Sequence, residues 1–418
     1  MILKKLKTAA AVTLSGIMLT GCVNLLEDYK ETITDHQSIP YVRPPIEQIS
    51  VSDYDEFIAV ILDHIMEYVT DIHMLYYHPE EAYIQADIQR ARHEIIYEHP
   101  IGAYAVAEIT ANTTRIVTHY EIDIQIEYKR TREQLDSIVN VSTEQAIRMQ
   151  LLRKMSEHAE EAVFRSRLQL NEETIAELVR NTYYQNPRNV VMLPMITVET
   201  FPEEGSDRVY EIQFGYIESP GMLQHFGTLL TLYVQQNAEL ADGETESEVI
   251  LSLVNNLIES TSFDEAAART IHAHGVQNFA ATAVGAFVRG TAVGEGFAMA
   301  FKALADELGF DCRVVLGDFD GLVHAWNIIS LYGDFYHIDV AMCRVLGLET
   351  SFLKTDADLE EMLYTWDREN TVYCEGELTL EDILGDDDPG EDDNNGEESN
   401  EENEEEEDFV YERRKRVL

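Results

Sequence analysis

Apolar and polar residues follow two different periods along this chain, and the changes of period outline its elements. In SDYDEFIAVILDHIMEYVTDI, Phe57, Ile58, Ile61, Ile65, Met66 and Val69 form one stripe at helical spacing, with Ser52 or Asp53 placed to cap it. A second helical pattern, over about 80–97, leads to YEHP. Two strands follow, GAYAVAEIT and TRIVTHYEIDIQIEY, the second with Ile122, Ile124 and Ile126 alternating with polar residues. The same order then returns: NEETIAELVRNTYYQNP is a helix ending at a proline, and NVVMLPMITVET and RVYEIQFGYI supply two strands. Pro100 precedes Tyr120-Glu121-Ile122 at nearly the offset by which Pro187 precedes Tyr210-Glu211-Ile212. This predicts two copies of a helix–strand–strand module, joined by a long charged helix over about 143–168.

From about 244 the pattern changes. SEVILSLVNNLIES and SFDEAAARTIHAHGV read as helices, and RGTAVGEGFAMAFKALADELGFD opens with three glycines and runs into another. Phe297, Phe301, Leu304, Ala305 and Leu308 give that helix its apolar stripe, and Gly309 stands where a helix stops. CRVVLGDF, HAWNIISLYG and DFYHIDVAM are three strands, with a tight turn expected at Gly333-Asp334. The fold class is therefore α+β.

Charge changes the picture at the two ends. Against 78 acidic residues stand 30 basic ones, a net charge of −48, which argues against nucleic acid as a partner. Of the 23 residues from Asp386 to Asp408, 15 are acidic and none is basic, so the tail is expected to be disordered, and YERRKRVL follows it. At the other end, MILKKLKTAAAVTLSGIMLTGC has Lys4, Lys5 and Lys7, a short apolar run, and small residues before a cysteine. That is the layout of a secretory signal, too short for a lasting membrane helix. Leu19-Thr20-Gly21-Cys22 resembles the bacterial lipobox, which implies cleavage before Cys22, lipid attachment to its sulfur and a tether to the bilayer on the outer face of the cytoplasmic membrane. The expected divisions are a signal over 1–21, anchor and stalk over 22–50, modules over 51–140 and 141–235, a C-terminal domain over 236–375 and an acidic tail over 376–418.

Three cysteines remain, Cys312, Cys343 and Cys374, which allow at most one bridge. No cluster has zinc-ligand spacing, and His272 and His274, two apart on a helix, would face different ways. No metal or other cofactor is expected.

Candidate chemistry lies on the last hairpin. His324 and Asp339 share a face by strand parity, whichever of the neighbouring registers holds. A histidine oriented by an aspartate is the base half of a nucleophilic triad. AVGAFVRGTAVGEGFAMAFKALADELGFDCRVVLG and HAWNIISLYGDFYHID resemble the transglutaminase-like superfamily, in its nucleophile block and its His-Asp block respectively. The resemblance covers about 60 residues firmly and implies a papain-like fold, with the nucleophilic cysteine at a helix start and His324 and Asp339 on neighbouring strands. Where the family reads Val-Cys-Glu-Gly-Tyr-Ala, this chain reads Val293-Gly294-Glu295-Gly296-Phe297-Ala298. Gly294 thus occupies the nucleophile position and has nothing to attack with. The glycines do not make a phosphate loop, since no Lys-Ser/Thr follows.

Three readings stay open. Without its thiol, the cleft could still bind a cell-envelope peptide, glycan or protein in a groove of His324, Trp326, Asp339, Glu295 and Gly296, the missing side chain leaving room for a ligand backbone. Cys343 could act as a displaced nucleophile, since the expected turn sets it across from His324 on the sheet; a structural role or a Cys343–Cys374 bridge is the alternative. Third, the domain could be a purely structural spacer.

Overall fold

The computed structural model of the protein describes residues 49–78, 80–274 and 277–385. The chain divides into Met1–Ile49 and Ser50–Leu418. Cys22, the signal, most of the stalk and the acidic stretch from Asp386 lie outside the described residues. Among the described residues no helix is long and apolar enough to cross a membrane.

The first sheet holds β1 (Ile49–Val51), β2 (Asp71–Tyr76), β3 (Val106–Ile116) and β4 (His119–Tyr128) in the order β1-β2-β4-β3. Between its strands run α1 (Tyr54–Met66), α2 (Glu81–His93), a π turn at Glu94–Glu98, and α3 (Pro100–Ala105). Asp53, not Ser52, caps α1, its carboxylate accepting the Glu56 N–H at 3.0 Å. Two expectations change here. GAYAVAEIT begins as helix, because His99 accepts the Gly102 N–H and Pro100 opens a turn, so the strand starts only at Val106. TRIVTHYEIDIQIEY is not one strand but the turn of a hairpin, with Ile116 paired to His119.

The second sheet repeats the order, β5-β6-β8-β7, from β5 (Val139–Asn140), β6 (Glu161–Ser166), β7 (Met195–Phe201) and β8 (Arg208–Gly215). Its helices are α4 (Arg132–Asp136), α5 (Glu144–Ser156) and α6 (Glu172–Tyr184). The long helix expected over 143–168 is corrected: α5 stops at Ser156, His158 takes a left-handed φ of 52°, and Glu161–Ser166 pairs with β8. Pairing decides it, since Phe164 and Tyr210 are cross-strand partners and both fully buried.

The longer helices that follow are α7 (Pro220–Ala238), α8 (Glu246–Ser260), α9 (Glu265–His274), α10 (Gly294–Leu308) and α11 (Val340–Leu346), with short paired strands β9 (Ser262–Phe263) and β10 (Thr291–Ala292). A third, antiparallel sheet runs β13-β12-β11-β14, from β11 (Cys312–Phe319), β12 (Leu322–Leu331), β13 (Asp334–Ile338) and β14 (Tyr364–Trp366). The α10 helix is buried on nearly every side, not along one stripe; even Lys302 is buried, its ammonium held by Asp306 at 2.9 Å and the Cys312 carbonyl at 2.8 Å. Leu308 is the exception, 39% exposed beside the Gly309 stop. Phe297, Phe301 and Leu304 are buried outright, each stabilising the fold by about 1.5–3 kcal/mol. One apolar core runs from Val141 through α10 to Leu353, so the second sheet and the elements around α10 share it. Order also extends past 375: Leu378, Leu380 and Ile383 pack on that core, so the segment from 376 to 385, expected to be disordered, is structured.

Candidate functional site

Two sequence features shape the elements around the site. Gly296 lets the start of α10 close on the preceding segment, since a β-carbon there would lie 2.1 Å from the Ala280 carbonyl oxygen. Tyr332 and Gly333, at φ 56° and 98°, make the two-residue turn between β12 and β13. Both being left-handed, they fit the hairpin turn whose twist matches the strands. The turn therefore falls one residue earlier than expected and Leu331 pairs with Asp334.

That shift corrects the place of Cys343. Strand β13 ends at Ile338, Asp339 caps α11 by accepting the Met342 N–H at 3.0 Å, and Cys343 lies on that helix. It does not face His324 across a sheet. It is a buried free thiol, pushed well above the usual cysteine range first by burial and then by the Asp339 charge, so it holds no thiolate to attack with. Cys312 and Cys374 are free and buried too, each pushed up by burial to about 12. The expected Cys343–Cys374 bridge is not formed.

His324, Asp339 and Gly294 do come together. His324 Nε2 and Asp339 Oδ2 are 2.6 Å apart, and the same oxygen accepts the Tyr364 hydroxyl at 2.8 Å. Burial pulls the His324 imidazolium down, but the Asp339 carboxylate, with Glu295 adding to it, outweighs that and holds its pKa above the usual value. The other edge of the ring points at α10. A β-carbon on Gly294 would stand 2.5 Å from His324 Cε1 and 2.6 Å from Nδ1. The imidazole therefore fills the space in which a nucleophile's side chain would begin.

The expected open groove is corrected on the same grounds. In front of Gly294, Glu295 and His324 the remaining cavity is about 20 Å³, room for a single water. Trp326 is fully buried and cannot line a groove; its ring lies 6.2 Å from that of His324. Gly296 packs on Ala280, and of the expected lining only Glu295 keeps partial exposure.

Behind this dyad stands a second one. The Trp326 indole N–H donates to His337 Nδ1 at 3.0 Å, and His337 Nε2 donates to Asp356 Oδ1 at 2.9 Å. Asp356 also accepts from Arg368 at 2.7 Å and from the Cys374 N–H at 3.1 Å. Ligand-type atoms of His337, Asp356 and Cys374 lie within 4.8 Å of one another. The indole donor nevertheless leaves Nδ1 unprotonated and so keeps the proton on Nε2, which then cannot coordinate a metal. Burial lowers the His337 pKa against the pull of Asp356, in keeping with a neutral ring. Tyr364, Asp356 and Arg368 carried no sequence signal. His337 did, since it shares the strand parity of Asp339.

No family model and no curated protein matches the chain. Among the solved structures similar to it in part are two. One, the crystal structure of a TGase, is 12% identical at a TM-score of 0.26, covering 52% of this chain and 60% of its own. The other, a proposed cysteine protease from Cytophaga hutchinsonii, is 13% identical at a TM-score of 0.22, covering 37% of this chain and 65% of its own. This chain thus spans less than two thirds of either, and the likeness is distant.

Proposed function

We propose that this is a lipoprotein tethered to the outer face of the cytoplasmic membrane through Cys22, whose transglutaminase-like, papain-like part has kept the frame of a nucleophilic triad and lost its chemistry. Its work is to bind a peptide, glycan or protein of the cell envelope. The observation carrying this reading is the overlap between a Gly294 β-carbon and the His324 ring. An enzyme that had merely lost its thiol would keep space for one; here the base has moved into that space. The Asp339–Tyr364 pair holds the ring in place, so the dyad acts as a clasp between β12, α11 and β14. The buried, protonated state of Cys343 supports the same reading against a displaced nucleophile.

The test is hydrolysis and transamidation of a broad set of peptides and cell-wall fragments by the purified protein and by its Gly294→Cys form. Neither is expected to turn over, because the new thiol must first displace His324. Turnover by the natural protein that is lost in His324→Ala or Cys343→Ser would overturn the reading. Labelling of the folded natural protein with iodoacetamide should be slow at all three cysteines.

A further inference from the structure

A groove of about 660 Å³ opens between α6 and β11, within the usual range for ligand clefts. Its floor is an open sheet edge. Strand β12 covers all of β11, from Cys312 with Ile329 to Phe319 with Leu322, whereas β14 covers only Gly317–Phe319. Past Trp366 the chain turns away, with Asn370 and Thr371 hydrogen-bonding back to Asp367. Among the described residues, no strand pairs with Cys312–Leu316 on that side.

The direction of the free backbone groups follows from alternation. The Asp320 N–H donates to the Leu363 carbonyl, so the backbone groups of Asp318, Leu316 and Val314 point to the same edge. One of them has a surrogate partner: the Gln185 side-chain amide donates to the Val314 carbonyl at 2.9 Å, where the N–H of a neighbouring strand would stand. An edge without a strand partner that lines a groove is a template for an added strand, although Val314 and Val315 are themselves largely buried.

Charge selects what could be added. In a chain of net charge −48, the groove gathers Arg148, Arg180 and Arg313. Arg148 is tied to Glu144 and Arg313 to Asp311, while Arg180 has no ion pair among the described residues. Glu177 and Asp367 also line the groove, so it favours one well-placed carboxylate rather than a run of them.

We propose that this edge is a peptide-binding site. An extended segment of a partner protein joins β11 at Val314–Leu316, displaces the Gln185 amide and sets an acidic side chain against Arg180. This deepens the reading that the protein binds a partner, by naming where it does so; the observations behind it, at the β11 edge, are separate from those at Gly294.

Three capped probe peptides test it, measured by fluorescence anisotropy with the whole protein: Val-Glu-Val-Glu-Val-Thr, its twin with lysine for glutamate, and a version N-methylated at alternate amides. The glutamate peptide is expected to bind, with Arg180→Ala and the lysine twin each weakening binding about tenfold, the scale of a charge-assisted hydrogen bond. Removing the competing amide by Gln185→Ala should tighten binding roughly threefold, which loss of a merely structural contact would not do. Bound peptide should slow hydrogen exchange at the Val314 and Leu316 amides. Equal binding of the methylated peptide, protection elsewhere, or no binding would overturn the proposal. Binding seen only after the acidic residues of 386–408 are changed to Asn and Gln would overturn it as well, since the occupant would then be the protein's own tail. Failure of this test leaves the turnover assay at Gly294 unaffected, and turnover there would leave this one unaffected.

Discussion

A β-carbon at Gly294 would lie 2.5 Å from His324 Cε1, and the ring has little freedom to retreat. Trp326, Phe319 and Tyr364 surround it and Asp339 holds its far nitrogen. Gly294→Ala should therefore destabilise the protein by about 1–3 kcal/mol, as overpacking does, although alanine is the better helix former by about 1 kcal/mol. In a His324→Ala background the same change should cost nothing or stabilise slightly. Denaturant midpoints of the four proteins close the cycle; an equal cost in both backgrounds would show that the ring is not what fills the space. The two buried histidines also titrate with opposite signs. His324 is raised, so between its unfolded value and its higher folded value the native state holds the extra proton, and its contribution, full at lower pH, is lost as pH rises. His337 is lowered, so its burial costs stability as pH falls below the unfolded value toward the folded one. Thermal midpoints across pH 5–9, a window bracketing the ordinary histidine pKa of about 6.5, should fall on the alkaline side in the natural protein. Asp339→Asn should flatten that alkaline fall and leave the acid side unchanged; an unchanged alkaline fall would refute the assignment.

Among the elements, the joint between the first two sheets makes the sharpest prediction. Arg130, just past β4, reaches Glu211 on β8 at 2.5 Å and Glu199 on β7 at 3.7 Å, and lies over the rings of Tyr104 and Phe201. Glu211 is 1% exposed, so Arg130→Ala strands a buried carboxylate and should cost about 3–5 kcal/mol. The double change Arg130→Met with Glu211→Leu should regain most of it, and a loss as large as the single variant's would mean that the pair itself stabilises. How legible these elements were follows the same physics. Local signals read well: the Asp53 cap, the Gly309 stop and the parity linking His324 to Asp339 all involve neighbours or a fixed period. Long-range pairing did not. Glu161–Ser166 looks like helix until β8 is placed beside it, and Cys343 looks like strand until Asp339 turns out to be a helix cap. Tyr364 completes the Asp339 clasp from 25 residues away, a contact no period encodes. That position 294 is a glycine was legible as a letter, but the approach of the His324 ring to it was not, because that depends on a side-chain position.

At the scale of the whole molecule, charge is unevenly placed. Residues 386–418 carry 16 carboxylates and four cations, so −12 of the net −48 lies there and −36 on the rest. Like charge gathered on one chain opposes compaction, and the opposition reaches about 30 Å at 0.01 M salt and about 3 Å at 1 M. Changing the acidic residues of 386–408 to Asn and Gln should therefore raise the melting temperature by roughly 2 °C at 0.01 M salt, the equivalent of about 1.5 kcal/mol for a protein of this size. At 1 M salt the two proteins should melt together. A melting temperature lowered by neutralisation would carry the opposite meaning, that the tail finds attractive partners outweighing its repulsion. The arginines beside the β11 edge would then be the first place to look, with Arg180→Ala expected to abolish the difference.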